Sequence, residues 1–203
     1  MGRQQADVRR EEILRAAATV VSAKGFARTR VADVATELGI SPGLVFYHFD
    51  SKERLLAEAF LHASELDLAA LDEVVAGPGT HVERLRGALR VYQPTGEAEG
   101  WSRDIDAWAE GLYTDEIREV CRRNDSRWRA IFQRLIADGV AAGEFHSADP
   151  QESALRIAVM LDGLAVASQV RGTLSRSRAA AWADEYVARE LGLPASPRPP
   201  SPR

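Results

Sequence analysis

The stretch TRVADVATELGISPGLVFYHFDSKERLL, residues 29–56, decides how the rest of the chain is read. Val31, Val34, Ala35 and Leu38 recur at helical spacing and give a short helix, opening at Thr29 or Arg30, one inward face. Gly39 stops that helix, because glycine reaches the left-handed conformation without steric cost, and Ile40 fills the angle behind it. Ser41 is an N-cap and Pro42 a first helical residue, so a third helix starts there and runs to about Phe49. Asp50 or Ser51 caps a fourth, longer helix, with Glu53 in its first turn. A short helix, a glycine turn with a small residue (Ala35) nearby and a capped second helix form the grammar of a helix-turn-helix. Val45, Phe46 and Phe49 are expected to anchor the third helix in the core, leaving Leu44, Tyr47, His48 and Lys52 outside.

Upstream, Ile13, Ala17 and Val20/Val21 mark a first helix over about residues 7–24, with Gly25 after it and Phe26 as a core plug. Downstream, Leu55, Leu56, Ala59, Phe60, Ala63, Leu66, Ala70 and Val74 carry the fourth helix to about Val75, and GPG at 77–79 breaks it. Five more helices are expected: about 80–92, 101–113, 114–142, 150–171 and 175–191. The polar stretch 93–100 reads as a loop and PASPRPPSPR (194–203) as a disordered tail. No strand-like alternation occurs, so the fold is all-α, and 45% apolar residues suffice for a sizeable core.

The net charge of −4 argues against a general nucleic-acid coat. Its distribution is uneven: residues 1–55 hold nine Lys/Arg against seven Asp/Glu, whereas residues 56–203 hold seventeen against twenty-three. One cysteine, Cys121, excludes an intrachain disulfide and a Cys-rich metal site, and no cofactor is implied. No apolar run is long enough to span a bilayer and no signal-peptide pattern opens the chain, so no membrane association and a cytoplasmic location are expected. An enzyme finds no support: four scattered histidines, no nucleophile with a partner and no glycine-rich phosphate loop.

Residues 8–56 resemble the N-terminal DNA-binding domain of TetR-family transcriptional regulators, through ILRAAATVVSAKGF, residues 29–56 and the lengths between them. The resemblance implies an N-terminal three-helix helix-turn-helix domain (1–50), a C-terminal helical bundle for ligand binding and dimerisation (51–192) and a tail (193–203). It implies a homodimeric regulator, most often a repressor, that reads a palindromic operator in double-stranded DNA and is released by a small-molecule effector. It places the third helix in the major groove. Ser41 can then offer a hydroxyl to a phosphate, Pro42 and Gly43 let the backbone approach the groove, and Leu44 can touch a thymine methyl. Tyr47 and His48 reach phosphates or base edges, and Lys52, which gains little at a helix N-terminus, suits a phosphate. Arg28, Thr29 and Arg30, where the second helix opens, are further candidates for DNA contact, with solvated charge the alternative for the two arginines. Relatives commonly carry Thr at Leu44 and Tyr at Phe46; a phenylalanine has no hydroxyl for a phosphate, which shifts that contact to Tyr47.

In the acidic body, RWRAIFQRLIADGVAAGEF (127–145) and MLDGLAVASQV (160–170) resemble the C-terminal domain of choline-responsive BetI-type members, a match too loose to carry a ligand over. From the residues themselves, Trp101, Asp104, Trp108, Tyr113, Trp128 and Asp162 are candidate ligand contacts, since aromatic faces beside carboxylates suit an organic cation. Plain core packing of the tryptophans is the alternative. The eighth helix is apolar nearly all round, so Met160, Gly163 and Ala167, with Trp182 and Tyr186 of the ninth, are candidates for a four-helix dimer interface; burial in a monomeric core is the alternative. Asp162 within that apolar helix requires a partner or a cavity.

Overall fold

The computed structural model describes residues 2–92 and 99–194. Among these residues the chain is helical without strands: α1 (Gly2–Lys24), α2 (Val31–Leu38), α3 (Pro42–His48), α4 (Lys52–Ala76), α5 (His81–Tyr92), α6 (Glu99–Glu110), α7 (Asp115–Ala141), α8 (Pro150–Gln169) and α9 (Arg176–Glu190). The loop expected at 93–100 lies outside the described residues up to 98, and the tail from 195 onward does as well.

The caps explain the boundaries. Gly39 takes φ +65°, and its N–H donates to Thr36 O at 3.2 Å while that of Ile40 donates to Ala35 O at 3.0 Å, which closes α2. Ser41 Oγ accepts from Leu44 N–H at 3.3 Å, and Ser51 Oγ from Arg54 N–H at 3.0 Å, so Ser51 is the cap of α4. Asp149 caps α8 by accepting from the N–H groups of Gln151 and Glu152. Helix α6 stops at Glu110, three residues before the end expected from the pattern. The turn that follows is held by Arg118 of α7, whose guanidinium donates to Gly111 O at 2.8 Å and Leu112 O at 3.0 Å.

Two compact units result, residues 2–67 with 99–125 and residues 68–92 with 126–194. The reason is packing: Val21 and Phe26 share an apolar cluster with Leu56, Ala57 and Phe60 of α4, Ala107 of α6, and Ile117 and Val120 of α7. A second cluster in the same unit joins Ile13, Ala17 and Val20 to Val34, Ala35, Val45, Phe49, Leu55 and Ala59, and thereby holds α1 to α4 together.

The other unit closes around Leu71, Leu85, Leu135, Ile136, Phe145, Ile157, Leu161 and Val187. Helix α8 buries Ala154, Ile157, Leu161, Leu164 and Ala165 on one side, while Leu155, Val159 and Gly163 are exposed on the other. Burial in a monomeric core, the alternative for α8, does not describe this outer face. Within this unit α7 passes close under the chain that follows it: a Cβ added at Gly139 would stand 2.2 Å from Cδ2 of the buried Phe145 ring. Gly139→Ala is therefore expected to destabilise the protein by about 1–3 kcal/mol through overpacking, against the usual gain of alanine over glycine in a helix. A thermal melt that shows no loss would contradict this contact.

Candidate nucleic-acid interface

Helix α3 has only seven residues, too few to hold itself, and its position comes from two side chains. Val45 and Phe49 lie four apart, on one face, and both are 1% exposed. Phe46 is rotated by about 100° from Val45, and it is 49% exposed. The expectation that Phe46 anchors the helix is corrected: the narrow strip that a helix of about two turns offers to the core is already filled by Val45 and Phe49.

Outside that strip stand Ser41, Pro42, Gly43, Phe46 and Tyr47, the last 80% exposed, with Leu44, His48 and Lys52 half-buried. The rings of Tyr47 and His48 meet edge to face at 5.3 Å, which fixes both on the same rim. Arg28 and Arg30 are exposed. Thr29 is not: it is 0% exposed and its hydroxyl donates to Gly25 O at 2.8 Å. Its side chain belongs to the turn between α1 and α2, and it is removed from the group that can reach DNA. Asp33 fixes the start of α2 from outside, accepting from Arg30 N–H at 2.9 Å and pairing with Lys24 at 2.8 Å.

The candidate ligand contacts divide between the units. Trp101, Asp104 and Trp108 share a face of α6 in the first unit, the two indoles edge to face at 6.0 Å. Tyr113 falls in the turn after α6 and is 87% exposed, so it does not extend that face. Trp128 and Asp162 lie in the second unit, where Tyr92 joins them. The Tyr92 ring packs against Trp128 at 4.7 Å, and its hydroxyl donates to Asp162 Oδ1 at 3.2 Å, which supplies the partner that this carboxylate needed. The five candidate interface residues lie on α8 and α9: Gly163 and Trp182 are exposed, whereas Met160, Ala167 and Tyr186 are half-buried. One contact had no signal in the sequence: Asp106 of α6 accepts from the backbone N–H of Phe26 at 2.7 Å, eighty residues away.

Residues 13–59 match the model of the bacterial regulatory proteins of the tetR family, and residues 81–192 that of the C-terminal domain of BetI-type transcriptional repressors. The chain belongs to the TetR family of transcriptional regulators. It is 27% identical to the regulator BetI of Rhizobium meliloti, with 97% of this chain and 96% of that one covered. With the repressor KstR2 of Mycolicibacterium smegmatis the identity is 30%, over 68% of this chain and 67% of the relative. Among solved structures, a transcriptional regulator from Saccharomonospora viridis in complex with choline superimposes with a TM-score of 0.80 at 25% identity, covering 91% of this chain and 98% of that one. The TetR family is one of regulators and not of enzymes. Among the described residues no helix is long and apolar enough to cross a membrane, and no group of His, Cys, Asp and Glu is arranged to hold a metal ion.

In this TetR-family chain the Asp33 carboxyl lies below its ordinary range, first through its hydrogen bond with Lys24 and then through that with the Arg30 backbone. A depressed folded pKa stabilises above the unfolded value of about 3.9, and this contribution is lost as pH falls through the folded value. Asp33→Asn is thus expected to lower the melting temperature slightly at pH 7, with the difference from the wild type shrinking as pH falls below about 4 and vanishing below the folded value. An equal difference at pH 3 and pH 7 would remove the charge from the explanation.

Proposed function

We propose that the protein is a homodimeric repressor of the cytoplasm that binds a palindromic operator and is released from it by a small organic cation. The observation that carries the reading is the exposed rim of α3, with Ser41, Pro42, Gly43, Leu44, Tyr47, His48 and Lys52 turned outward from a helix locked by Val45 and Phe49. A helix held in this way can enter a major groove without rearranging. Ser41, Tyr47 and Lys52 then serve phosphates and fix register, while Leu44, Phe46 and His48 face base edges. Arg28 and Arg30 add charge at the flank. Two such helices related by a two-fold axis read half-sites roughly 34–36 Å apart, or a multiple of that spacing.

The reading of the dimer rests on the outer face of α8 and α9, where Leu155, Val159, Val170 and Trp182 are exposed with Gly163 among them, and Met160, Ala167 and Tyr186 border them. The effector class is supported by the choline bound to the Saccharomonospora viridis relative and by the indoles and carboxylate of Trp101, Trp108 and Asp104 on α6. Release requires only that the effector bind better to a subunit arrangement in which the two α3 helices no longer match the operator.

Two measurements test this. Fluorescence anisotropy with duplexes from the region upstream of its own gene should give binding whose logarithm falls linearly with the logarithm of salt concentration. Lys52→Ala should weaken it on all sequences and reduce the slope by about 0.9. Binding that neither Lys52→Ala nor Tyr47→Ala changes would reject the α3 rim as the reader. In sedimentation the protein should run at twice 22.2 kDa, and Val159→Arg should shift it to the monomer. A wild type that is monomeric at micromolar concentration would reject the dimer.

A further inference from the structure

Gly43 is a residue of α3 that the fold itself does not require. Its backbone is helical without a positive φ, and a Cβ added there would meet only Ser41 Oγ, at 3.9 Å. Glycine inside a helix is destabilising relative to alanine, and neither conformation nor internal packing offsets that here. At about 100° per residue, Gly43 and Tyr47 stand on the side of α3 opposite the buried Val45. The glycine therefore leaves bare backbone on the line that faces away from the core. Bare backbone of this kind lets another surface come close to the helix.

The side chains that flank this line are apolar. Leu44 and Phe46 lie one step to either side of Val45, Leu44 half-buried and Phe46 49% exposed. Base pairs are told apart by hydrogen bonds from Arg or Lys to guanine, Asn or Gln to adenine, and Asp or Glu to cytosine. Residues 39–49, GISPGLVFYHF, contain none of these six residue types. Ser41, Tyr47 and His48 offer single hydrogen-bonding groups. Of these, Ser41 Oγ already accepts from Leu44 N–H, and the Tyr47 and His48 rings pack edge to face on each other. In the major groove, apolar side chains distinguish base pairs by contact with the C5-methyl group of thymine.

We infer that α3 reads its half-site through thymine methyl groups, one against Leu44 and one against Phe46, with Gly43 setting how deeply the helix enters the groove. This rests on the DNA-binding reading above and names what the exposed rim recognises. Taking a methyl away returns apolar surface to water, and no side chain of residues 39–49 can make up for it with a paired hydrogen bond. Such a helix reads the methyl and not the base that bears it. 5-Methylcytosine carries the same methyl at the same ring position, so it serves in place of thymine although the hydrogen-bonding pattern of the pair is changed. Unmethylated cytosine does not.

The test uses the full-length protein and the tightest palindromic duplex that it retains from a randomised pool. Thymines of one half-site are replaced one at a time by uracil, which removes the methyl and keeps every hydrogen-bonding group. At two positions uracil should weaken binding about fourfold, the effect of one buried methyl. At the same positions a 5-methylcytosine–guanine pair should bind about fourfold more tightly than a cytosine–guanine pair. Leu44→Ala should cancel the uracil effect at one position and Phe46→Ala at the other; both side chains lie outside the anchoring pair, so α3 stays in place. Gly43→Ala should melt no lower than the wild type, since its Cβ meets open space, yet bind about tenfold more weakly because the helix is held off the groove. Uracil that binds as thymine does at every position would overturn the assignment. So would a uracil effect that persists in both Leu44→Ala and Phe46→Ala, or 5-methylcytosine that binds no better than cytosine. Those outcomes leave α3 as the DNA-binding surface, which Lys52→Ala tests separately. A pool from which no duplex is retained would reject both readings.

Discussion

The anchoring of α3 by Val45 and Phe49 is the constraint on which the DNA-facing side depends. A seven-residue helix has too few internal hydrogen bonds to persist alone, and here its only deep contacts are two side chains one turn apart. Those two fix the rotation of the helix about its own axis. Every other residue of α3 then has a determined direction: Tyr47 and Phe46 outward, Leu44 and His48 at the border, Pro42 and Gly43 at the leading end. The anchor is itself secured from outside the helix, since the Arg10 guanidinium lies 4.7 Å from the Phe49 ring centroid and pairs with Glu58 of α4. The exposed rim of α3 is in this sense a consequence of how few residues the core can hold.

Local chemistry made most of the fold legible. Gly39, Ser41, Pro42 and Ser51 are read as turn and caps from their residue types, and each has that role in the structure. The failures have a common cause, which is that periodicity gives a face but not its width. Phe46 is as apolar as Phe49 and differs from it only by its angle to a strip that sequence cannot measure. Thr29 reads as a polar residue at a helix start, yet its hydroxyl is satisfied by Gly25 O and the residue is buried. The early end of α6 is set by Arg118, a residue of the following helix, so nothing inside α6 announces it.

The candidate ligand residues were legible as types and not as a group. Spacing alone placed Trp101, Asp104 and Trp108 on one face of α6. It could not tell that Ser64 and Asn124, unremarkable polar residues in long helices, are buried, because that needs the packing of the helices against one another. The cost of a lone buried carboxylate marks Asp162 as needing a partner. The partner, Tyr92, is seventy residues away and carried no mark of its own.

Helix α6 has two obligations that its geometry makes inseparable. Asp106 holds the N–H of Phe26, in the turn that leads into α2, and Asp104 pairs with Arg103 at 3.6 Å. Two residues apart, these carboxylates point to nearly opposite sides of one helix. The Asp106 contact is short, at 2.7 Å, and its donor is backbone next to a fully packed ring, so neither end can yield without moving the other. In the proposed release, a ligand that draws Asp104 toward itself would stretch the bond at Phe26 or carry the α1–α2 turn with it. The turn is continuous with the helix-turn-helix, so in the proposed release a change in the position of α6 would be passed toward α3 through this bond. The size of the effect is bounded by what the ligand gains in the moved state over the unmoved one, which makes the differential contacts at Asp104 the quantity that matters, and not the overall affinity.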